Sequence, residues 1–188
     1  MAMAKKTVTS WKGKKVYPVL APENFEFKEV GETLASEPEK TKGRTVNVSL
    51  GELLGDRSKN YLNLVFEVEE VKGGKAYTRF KEFFIPIGYL RSKVRKRTTK
   101  IDYLRDLDVG GEKMRIEVMV LSHHKFSVVQ KEEIKARMAE VITEHSSGKP
   151  EKLIQNTLFG KLGTEIYKRI KAICPVTRVE VYHLKMLR

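Results

Sequence analysis

Residues 91–100, RSKVRKRTTK, carry six basic side chains and no carboxylate. Arginine presents a planar fork of N–H donors that can bind a phosphate through two hydrogen bonds at once, and lysine adds a mobile point charge. A phosphodiester backbone is therefore the anion that this run fits best. The predicted phosphate-binding residues are Arg91, Lys93, Arg95, Lys96, Arg97 and Lys100.

Two other interpretations of this run stay open. A solvated basic face without a partner is the ordinary explanation of a lysine-rich stretch. A membrane-surface role fits less well, because the apolar side of the segment offers no exposed large aromatic side chain for insertion. Among nucleic acids RNA is favoured over DNA, since no segment shows the base-reading side chains of a duplex DNA reader.

Two further segments add basic side chains that suit the same chemistry. The N-terminal arm contains Trp11 among lysines, and this ring either stacks on an RNA base or anchors the arm to the folded body. The arm residues predicted to bind RNA are Lys5, Lys6, Trp11, Lys12, Lys14 and Lys15. A second, smaller basic face is predicted near the C-terminus at Lys168, Arg169 and Lys171.

Three carboxylates, Asp102, Asp106 and Asp108, share the parity of one strand close to a turn. Converging carboxylates could hold a divalent cation in an RNA-cleaving enzyme. The neighbouring Lys100 and Arg105 favour a surface ion-pair ladder instead. We therefore predict no catalytic residue here.

The histidines and the cysteine do not form a metal-binding pattern. His123 and His124 are adjacent, so on a strand they point to opposite faces and cannot chelate one ion together. His145 and His183 are isolated in the sequence, and Cys174, directly before a proline, is typical of a buried structural thiol. We predict no metal and no cofactor.

The charge distribution indicates a polyanion-binding protein. The chain has 188 residues and a net charge of +13, of which segments 1–22 and 91–100 contribute +5 and +6. A basic arm and a basic patch on a nearly neutral body are typical of nucleic-acid binding. The single cysteine, the lack of a secretory signal and the lack of a long apolar run predict a cytoplasmic protein without a membrane partner.

The first two thirds of the chain show β-type alternation. Apolar residues alternate with polar ones over 46–50, ending with Leu50, and over 62–68. The pairs Gly73–Gly74 and Gly110–Gly111 predict two hairpin turns. After the first turn, one strand face is expected to carry Tyr77, Phe83 and Ile85. After the second, one face is expected to carry Met114, Ile116, Val118 and Val120.

The last third changes to helical spacing. Gly148 and Pro150 separate two predicted helices, Pro175 ends a third helical pattern, and a closing strand follows. The apolar positions of the first pattern are Ile134, Met138, Val141 and Ile142. Those of the last are Leu162, Ile166, Ile170 and Ile173.

A short amphipathic helix is predicted to join the two hairpins. Ile87, Leu90 and Val94 are spaced as i, i+3 and i+7. On such a helix Arg91 would lie beside Arg95, and Lys93 beside Arg97, so that like charges repel by a few tenths of a kcal/mol per pair. An external anion would relieve this repulsion.

Several strings also resemble a known family. VYPVLAPENF, VGETLASEPEKTKGRTVNVSLGELLGD, KGGKAYTRF, LRSKVRKRTTKID and GKLGTEIYKRIKAICPVTRVEV follow one another in this order. They resemble the archaeal and eukaryotic small-subunit ribosomal protein family called S-three-A or S-one-e, over nearly all of residues 10–188. The resemblance implies an RNA-binding structural component on the platform of the small subunit, near the messenger exit and the 3′ end of the rRNA. It also implies a β-barrel-like body with C-terminal helices.

The chain departs from that family in two places. The family is usually basic after the last barrel strand, whereas residues 121–133 include Glu132 and Glu133. That stretch is therefore left out of the expected RNA-binding surface. The extended tail of some members is not expected beyond Arg188.

These observations lead to one prediction of fold and function. We predict an α+β chain with an antiparallel β-barrel-like body, C-terminal helices and a closing C-terminal strand. Its parts are a basic arm (1–15), a β-barrel-like domain with a short basic helix (16–122), and a helical region with a final strand (123–188). Its expected partners are small-subunit rRNA and neighbouring ribosomal proteins, with messenger RNA and initiation factors as further candidates. The alternatives are a free-standing RNA-binding translation factor and a metal-dependent RNA-processing enzyme.

Overall fold

The computed structural model describes residues 13–187. The chain divides into two compact units, residues 1–60 with 64–81, and residues 61–63 with 82–188. In chain order the elements are β1 (Lys15–Leu20), β2 (Glu29–Ala35), β3 (Thr45–Ser49), α1 (Leu50–Leu54), β4 (Asn63–Lys72), β5 (Lys75–Phe84), α2 (Ile87–Lys93), β6 (Thr99–Val109), β7 (Glu112–Ser122), α3 (Val128–Ser146), α4 (Pro150–Leu158), α5 (Lys161–Lys171) and β8 (Arg178–Leu187).

The first unit is a small sheet around a valine-rich core. β1 pairs antiparallel with β2 and runs parallel to β5, while β4 pairs with β3 and with β5. Val19, Val68 and Ala76 form the buried centre of this core. Branched side chains of this kind pack well between pleated strands, which explains the β texture of this part of the sequence.

Two details of this unit differ from the sequence prediction. Leu50, expected in a strand, begins the short helix α1, because the Ser49 hydroxyl accepts a hydrogen bond from Gly51 N–H and caps the helix. In β5 the buried positions are Ala76, Thr78, Phe80 and Phe83, whereas Tyr77 is only half-buried. The expected face of Tyr77 was therefore wrong, although the Gly73–Gly74 turn before it is confirmed.

The second unit contains a four-stranded antiparallel arrangement. The last residues of β5 pair with β8, β8 pairs with β7, and β7 pairs with β6 along its whole length. The Gly110–Gly111 turn has positive φ at both glycines, as a two-residue hairpin loop of type I′ requires. The predicted apolar face of β7 is confirmed, since Met114, Ile116, Val118 and Val120 are fully buried.

α3 and α5 pack on this part of the sheet, and α4 packs on those two helices. α3 contacts β6 and α5, and α5 contacts β8 and α4. The predicted apolar positions of α3 are completely buried, and so are Leu162, Ile166 and Ile170 of α5. Burying these side chains, at about 1.5–3 kcal/mol each, is the main stabilisation available to the helices.

The α+β class and the closing strand β8 are confirmed, but the barrel-like description holds only loosely. In the described residues the strand path ends at β2 and at β6, so the sheet is not closed. The predicted boundaries at 15/16 and 122/123 remain predictions.

Across residues 13–187, no helix has the length and apolar character that a bilayer crossing needs.

Candidate nucleic-acid interface

The basic segment, residues 91–100, begins on α2 and continues through a turn into β6. α2 is confirmed as the short helix between the hairpins, but it ends at Lys93 because Val94 is extended. A helix of this length has few internal hydrogen bonds and ends readily where a β-branched residue follows. The expected one-turn neighbours Arg91/Arg95 and Lys93/Arg97 are therefore wrong.

The turn after α2 is held by backbone and side-chain hydrogen bonds. Thr98 donates to the Arg95 carbonyl from its N–H at 3.1 Å and from its hydroxyl at 2.6 Å. Between them Arg97 has φ = 69°, in the left-handed region. That region costs a non-glycine residue about 1–2 kcal/mol. The fold thus holds an exposed arginine in a strained backbone conformation.

The cations of this segment, apart from Lys100, form no ion pairs within the described residues. No ion pair within residues 13–187 involves Arg91, Lys93, Arg95, Lys96 or Arg97. By contrast, Lys100 Nζ lies 2.9 Å from Asp102 Oδ1. All of these cations except Lys93 are exposed. The structure therefore brings five neighbouring cations to the surface without a carboxylate.

An aromatic stack supports the half-buried cation. The Tyr61 and Tyr89 rings are nearly parallel with centroids 4.3 Å apart, and Lys93 Nζ lies 4.5 Å from the Tyr89 centroid. A cation over a ring face is attracted by the ring's quadrupole. Burial raises the pKa of Tyr61 above its ordinary value. The stack therefore fixes Lys93 at a position where it forms no ion pair with the described residues.

One further cation lies near this stack and was missed by the sequence analysis. Arg178, the first residue of β8, contacts Glu180 with an Nη1–Oε1 distance of 3.2 Å. Burial raises the pKa of Glu180, while Arg178 and Lys93 act in the opposite direction. Only strand pairing brings Arg178 near residue 93, so no local sequence signal could reveal it.

The predicted arm lies mostly outside the described residues. This applies to Lys5, Lys6, Trp11 and Lys12. Lys14 and Lys15 are exposed, and Lys15 begins β1 opposite Ala35. Their role in RNA binding remains a prediction.

The predicted second basic face, on α5, is partly neutralised. Arg169 binds Glu144 through both carboxylate oxygens, at 2.9 and 2.5 Å, and this contact lowers the pKa of Glu144. Lys171 Nζ lies 5.8 Å from the Tyr167 ring, and Lys168 is exposed. Lys168 and Lys171 are thus better placed for an external anion than Arg169.

The three aspartates of β6 are engaged in structural contacts. Asp106 accepts two hydrogen bonds from Arg115, at 2.7 and 2.9 Å, which lower its pKa. Asp108 accepts a hydrogen bond from the turn N–H of Gly111 at 3.2 Å. The Lys100–Asp102 pair fits the predicted ladder, whereas Arg105 instead donates to the Ala139 carbonyl at 3.0 Å. The carboxylates are therefore held apart by different partners.

The histidines make separate polar contacts. His145 lies 2.5 Å from Glu165, and His183 lies 3.1 Å from Glu117. Within residues 13–187 no three His, Cys, Asp or Glu side chains are grouped as a metal site would require.

Cys174 is buried, with 4% of its surface exposed, as expected for a structural thiol. Burial raises its pKa, so the thiol is poorly suited to act as a nucleophile.

Comparisons with known proteins give a consistent result. The model of the ribosomal S3Ae family matches residues 2–188. The small ribosomal subunit protein eS1 of Archaeoglobus fulgidus is 37% identical over 181 residues, covering 94% of this chain and 86% of that protein. The protein of the same name from Methanobrevibacter smithii is 34% identical over 180 residues, covering 95% and 93%. That from Haloarcula marismortui is 35% identical over 170 residues, covering 89% and 80%.

Proposed function

The chain belongs to the ribosomal S3Ae family, and from this premise we propose that it is a structural constituent of the small ribosomal subunit. It binds small-subunit rRNA through the basic segment, packs against neighbouring ribosomal proteins and resides on the ribosome in the cytoplasm. Its role is to bind and position RNA rather than to catalyse a reaction. The names of its relatives support this assignment.

The proposal that the chain binds RNA rests on the cations of the basic segment that form no ion pair. Five cations within residues 91–97 form no ion pair within the described chain, and one of them, Arg97, has a strained backbone. Mutual repulsion and backbone strain both destabilise the free protein. An RNA backbone would supply the missing negative charge and release counterions on binding.

The finer placement rests on the family resemblance. We propose that the protein lies on the platform, near the messenger exit and the 3′ end of the rRNA. Direct contact with messenger RNA or with initiation factors is part of the same proposal. The N-terminal lysines and Trp11 would extend the RNA contact, and Lys168 and Lys171 would add a second, weaker one.

The enzyme alternative has little support from the geometry. Asp106 is paired with Arg115, Asp108 accepts from a turn N–H and Asp102 contacts Lys100, so the three carboxylates are directed to different partners rather than to one cation. The free-standing factor differs from the ribosomal constituent in where the protein is found in the cell.

Sedimentation of a cell lysate tests the proposal. The chain is followed through a sucrose gradient at moderate and then at high salt. We expect it to migrate with small subunits and to remain there until high salt, because protein and RNA contacts act together. The triple variant Arg95→Ala/Lys96→Ala/Arg97→Ala should dissociate at lower salt.

A matched control removes the same charge elsewhere. Lys131, Lys135 and Lys152 are exposed and form no ion pair within the described chain. Their triple alanine variant should be retained like the unmodified chain. If the chain stays at the top of the gradient at both salt concentrations, the ribosomal assignment is wrong and a free-standing factor is favoured. Equal release of both triple variants would contradict the role of the basic segment.

A further inference from the structure

A polar cleft borders the basic segment. It has a volume of about 340 Å³ and lies within the second unit. Ser92, Lys93, Arg95 and Thr98 form one side. The other residues that line it are Leu121, His123, Thr177 and Arg178, from the ends of β7 and β8. This volume is at the lower end of the roughly 300–1,000 Å³ range of small-ligand sites, so the cleft suits one nucleotide unit rather than a double helix.

The cations of the cleft favour a phosphate. Lys93 is held over Tyr89, Arg95 is exposed at the turn, and Arg178 is held by Glu180. The Glu180 carboxylate offsets one of the three charges, which leaves an excess of positive charge at the cleft. Arg178 keeps 41% of its side chain exposed, so part of it remains accessible from the cleft.

Two hydroxyl groups of the cleft can accept a further hydrogen bond but cannot donate one. Ser92 donates its hydroxyl proton to the Tyr89 carbonyl at 2.7 Å, and Thr98 donates its own to the Arg95 carbonyl at 2.6 Å. Each hydroxyl has only one proton, so both oxygens now present lone pairs alone. They are poor partners for a phosphate and good acceptors for a donor. The ribose 2′-hydroxyl is the donor that RNA has and DNA lacks.

We propose that this cleft binds one nucleotide of an unpaired RNA strand and distinguishes ribose from deoxyribose. The phosphate lies against Lys93, Arg95 and Arg178, and the 2′-hydroxyl donates to the oxygen of Ser92 or Thr98. The Thr177 hydroxyl, which makes no hydrogen bond with the described residues, donates to the phosphate. This inference rests on the RNA binding proposed above and adds the sugar selectivity of the site.

Two probes that differ only in the sugar measure how much the 2′-hydroxyl contributes to binding. Fluorescence anisotropy compares the binding of the full chain to oligouridylate and to oligodeoxyuridylate of equal length, which differ only in the 2′-hydroxyl. We expect about fivefold tighter binding of the RNA probe, the ratio that one net hydrogen bond of roughly 1 kcal/mol provides. The double variant Ser92→Ala/Thr98→Val should lose this preference. Arg95→Ala should weaken both complexes and keep the preference.

Control variants show whether a lost preference comes from the cleft itself or from damage to the fold. Ser146 and Thr164 donate to backbone carbonyls in the same way, at 2.8 and 2.9 Å, but lie outside the cleft lining. Their double variant, Ser146→Ala/Thr164→Val, should keep the preference, and Ser92→Ala alone should reduce it while preserving the Thr98 turn bond. Equal binding of both probes, or an unchanged preference in the cleft variants, overturns the cleft assignment but not RNA binding. No binding of either probe at low salt overturns both proposals.

Discussion

Arg97 combines a strained backbone with an exposed charge that forms no ion pair within the described residues. Its φ of 69° is a conformation that glycine adopts without cost, and its side chain is exposed with no ion pair within residues 13–187. A residue selected for stability alone at this position would be glycine or asparagine. We propose that this arginine contacts an external anion, which the variants below test.

Replacing this arginine separates the effect of its backbone strain on stability from the effect of its charge on RNA binding. Arg97→Gly should raise the free energy of unfolding by up to about 1 kcal/mol. This is the backbone strain that glycine relieves, minus the larger conformational entropy that glycine loses on folding. The variant should also lower RNA affinity and reduce the slope of log K against log salt by about 1. Urea denaturation and RNA titration at several salt concentrations measure the two quantities.

Arg97→Ala is the matched control, because it removes the charge and keeps the strain. It should lose as much RNA affinity as the glycine variant without gaining stability. If the two variants have the same stability, the backbone strain at this residue is negligible.

The lowered pKa of Asp106 makes the stability of the second unit depend on pH. The hydrogen bonds from Arg115 lower its pKa in the folded state. A depressed folded-state pKa stabilises the fold above the unfolded-state pKa of about 3.9, and this contribution is lost as the pH falls through the folded-state value. Asp106→Asn should therefore melt slightly below the unmodified chain at pH 7, with the difference shrinking below about pH 4.

Thermal melts between neutral and acidic pH check this prediction. The double variant Asp106→Asn/Arg115→Gln should be no less stable than Asp106→Asn alone, since the pair is already broken. A melting difference that persists unchanged in acid would contradict the assigned role. RNA cleavage that depends on a divalent cation and disappears in Asp106→Asn would favour the enzyme alternative.

At the level of elements, α3 depends on its first turn. The Ser127 hydroxyl accepts from Gln130 N–H at 3.2 Å, and the Gln130 side chain accepts from Ser127 N–H at 3.0 Å. This capping box pairs two donors that the helix itself leaves unsatisfied. The helix it begins carries four fully buried apolar residues of the second unit.

Ser127→Ala should destabilise the chain by about 0.5–2 kcal/mol, because one N–H of the first turn loses its partner. Ser127→Asp should retain most of the stability, since a carboxylate caps equally well. Urea denaturation measures both, and hydrogen exchange should show faster opening near residues 128–131 in the alanine variant alone. Equal losses in both variants would mean that the serine acts through packing rather than through its oxygen.

At the level of the whole molecule, the net charge of +13 comes mainly from two segments. The arm lysines 5, 6 and 12 and the basic segment are expected to act on one polyanion. Each phosphate contact contributes about 0.7–0.9 to the salt slope. The triple variant Lys5→Ala/Lys6→Ala/Lys12→Ala should therefore reduce that slope by about 2–3 units.

The triple variant of Lys131, Lys135 and Lys152 again serves as the control of equal net charge. Its salt slope for RNA should stay close to that of the unmodified chain. If both triple variants reduce the slope alike, RNA binding depends on overall charge, and the two segments have no special place in it.

The sequence by itself determined the features that depend on short-range pattern. Both Gly-Gly hairpins, the buried face of β7 and the apolar positions of α3 follow from periodicities that any core imposes on a strand or a helix. The basic segment was visible for the same reason, since a run of six cations without an acid is a local property. The family resemblance likewise depends on continuous strings of residues.

Only the tertiary structure decided which of those residues share a site. β5 changes its buried parity between Phe80 and Phe83, where its residues pass from one compact unit to the other. α2 ends at Lys93 because local hydrogen bonds favour a turn over a second helical stretch, and this moves Arg95 and Arg97 off the helix. Arg178 and Thr177 reach the cleft through strand pairing. Contacts between residues far apart in sequence depend on packing, and no local pattern encodes them.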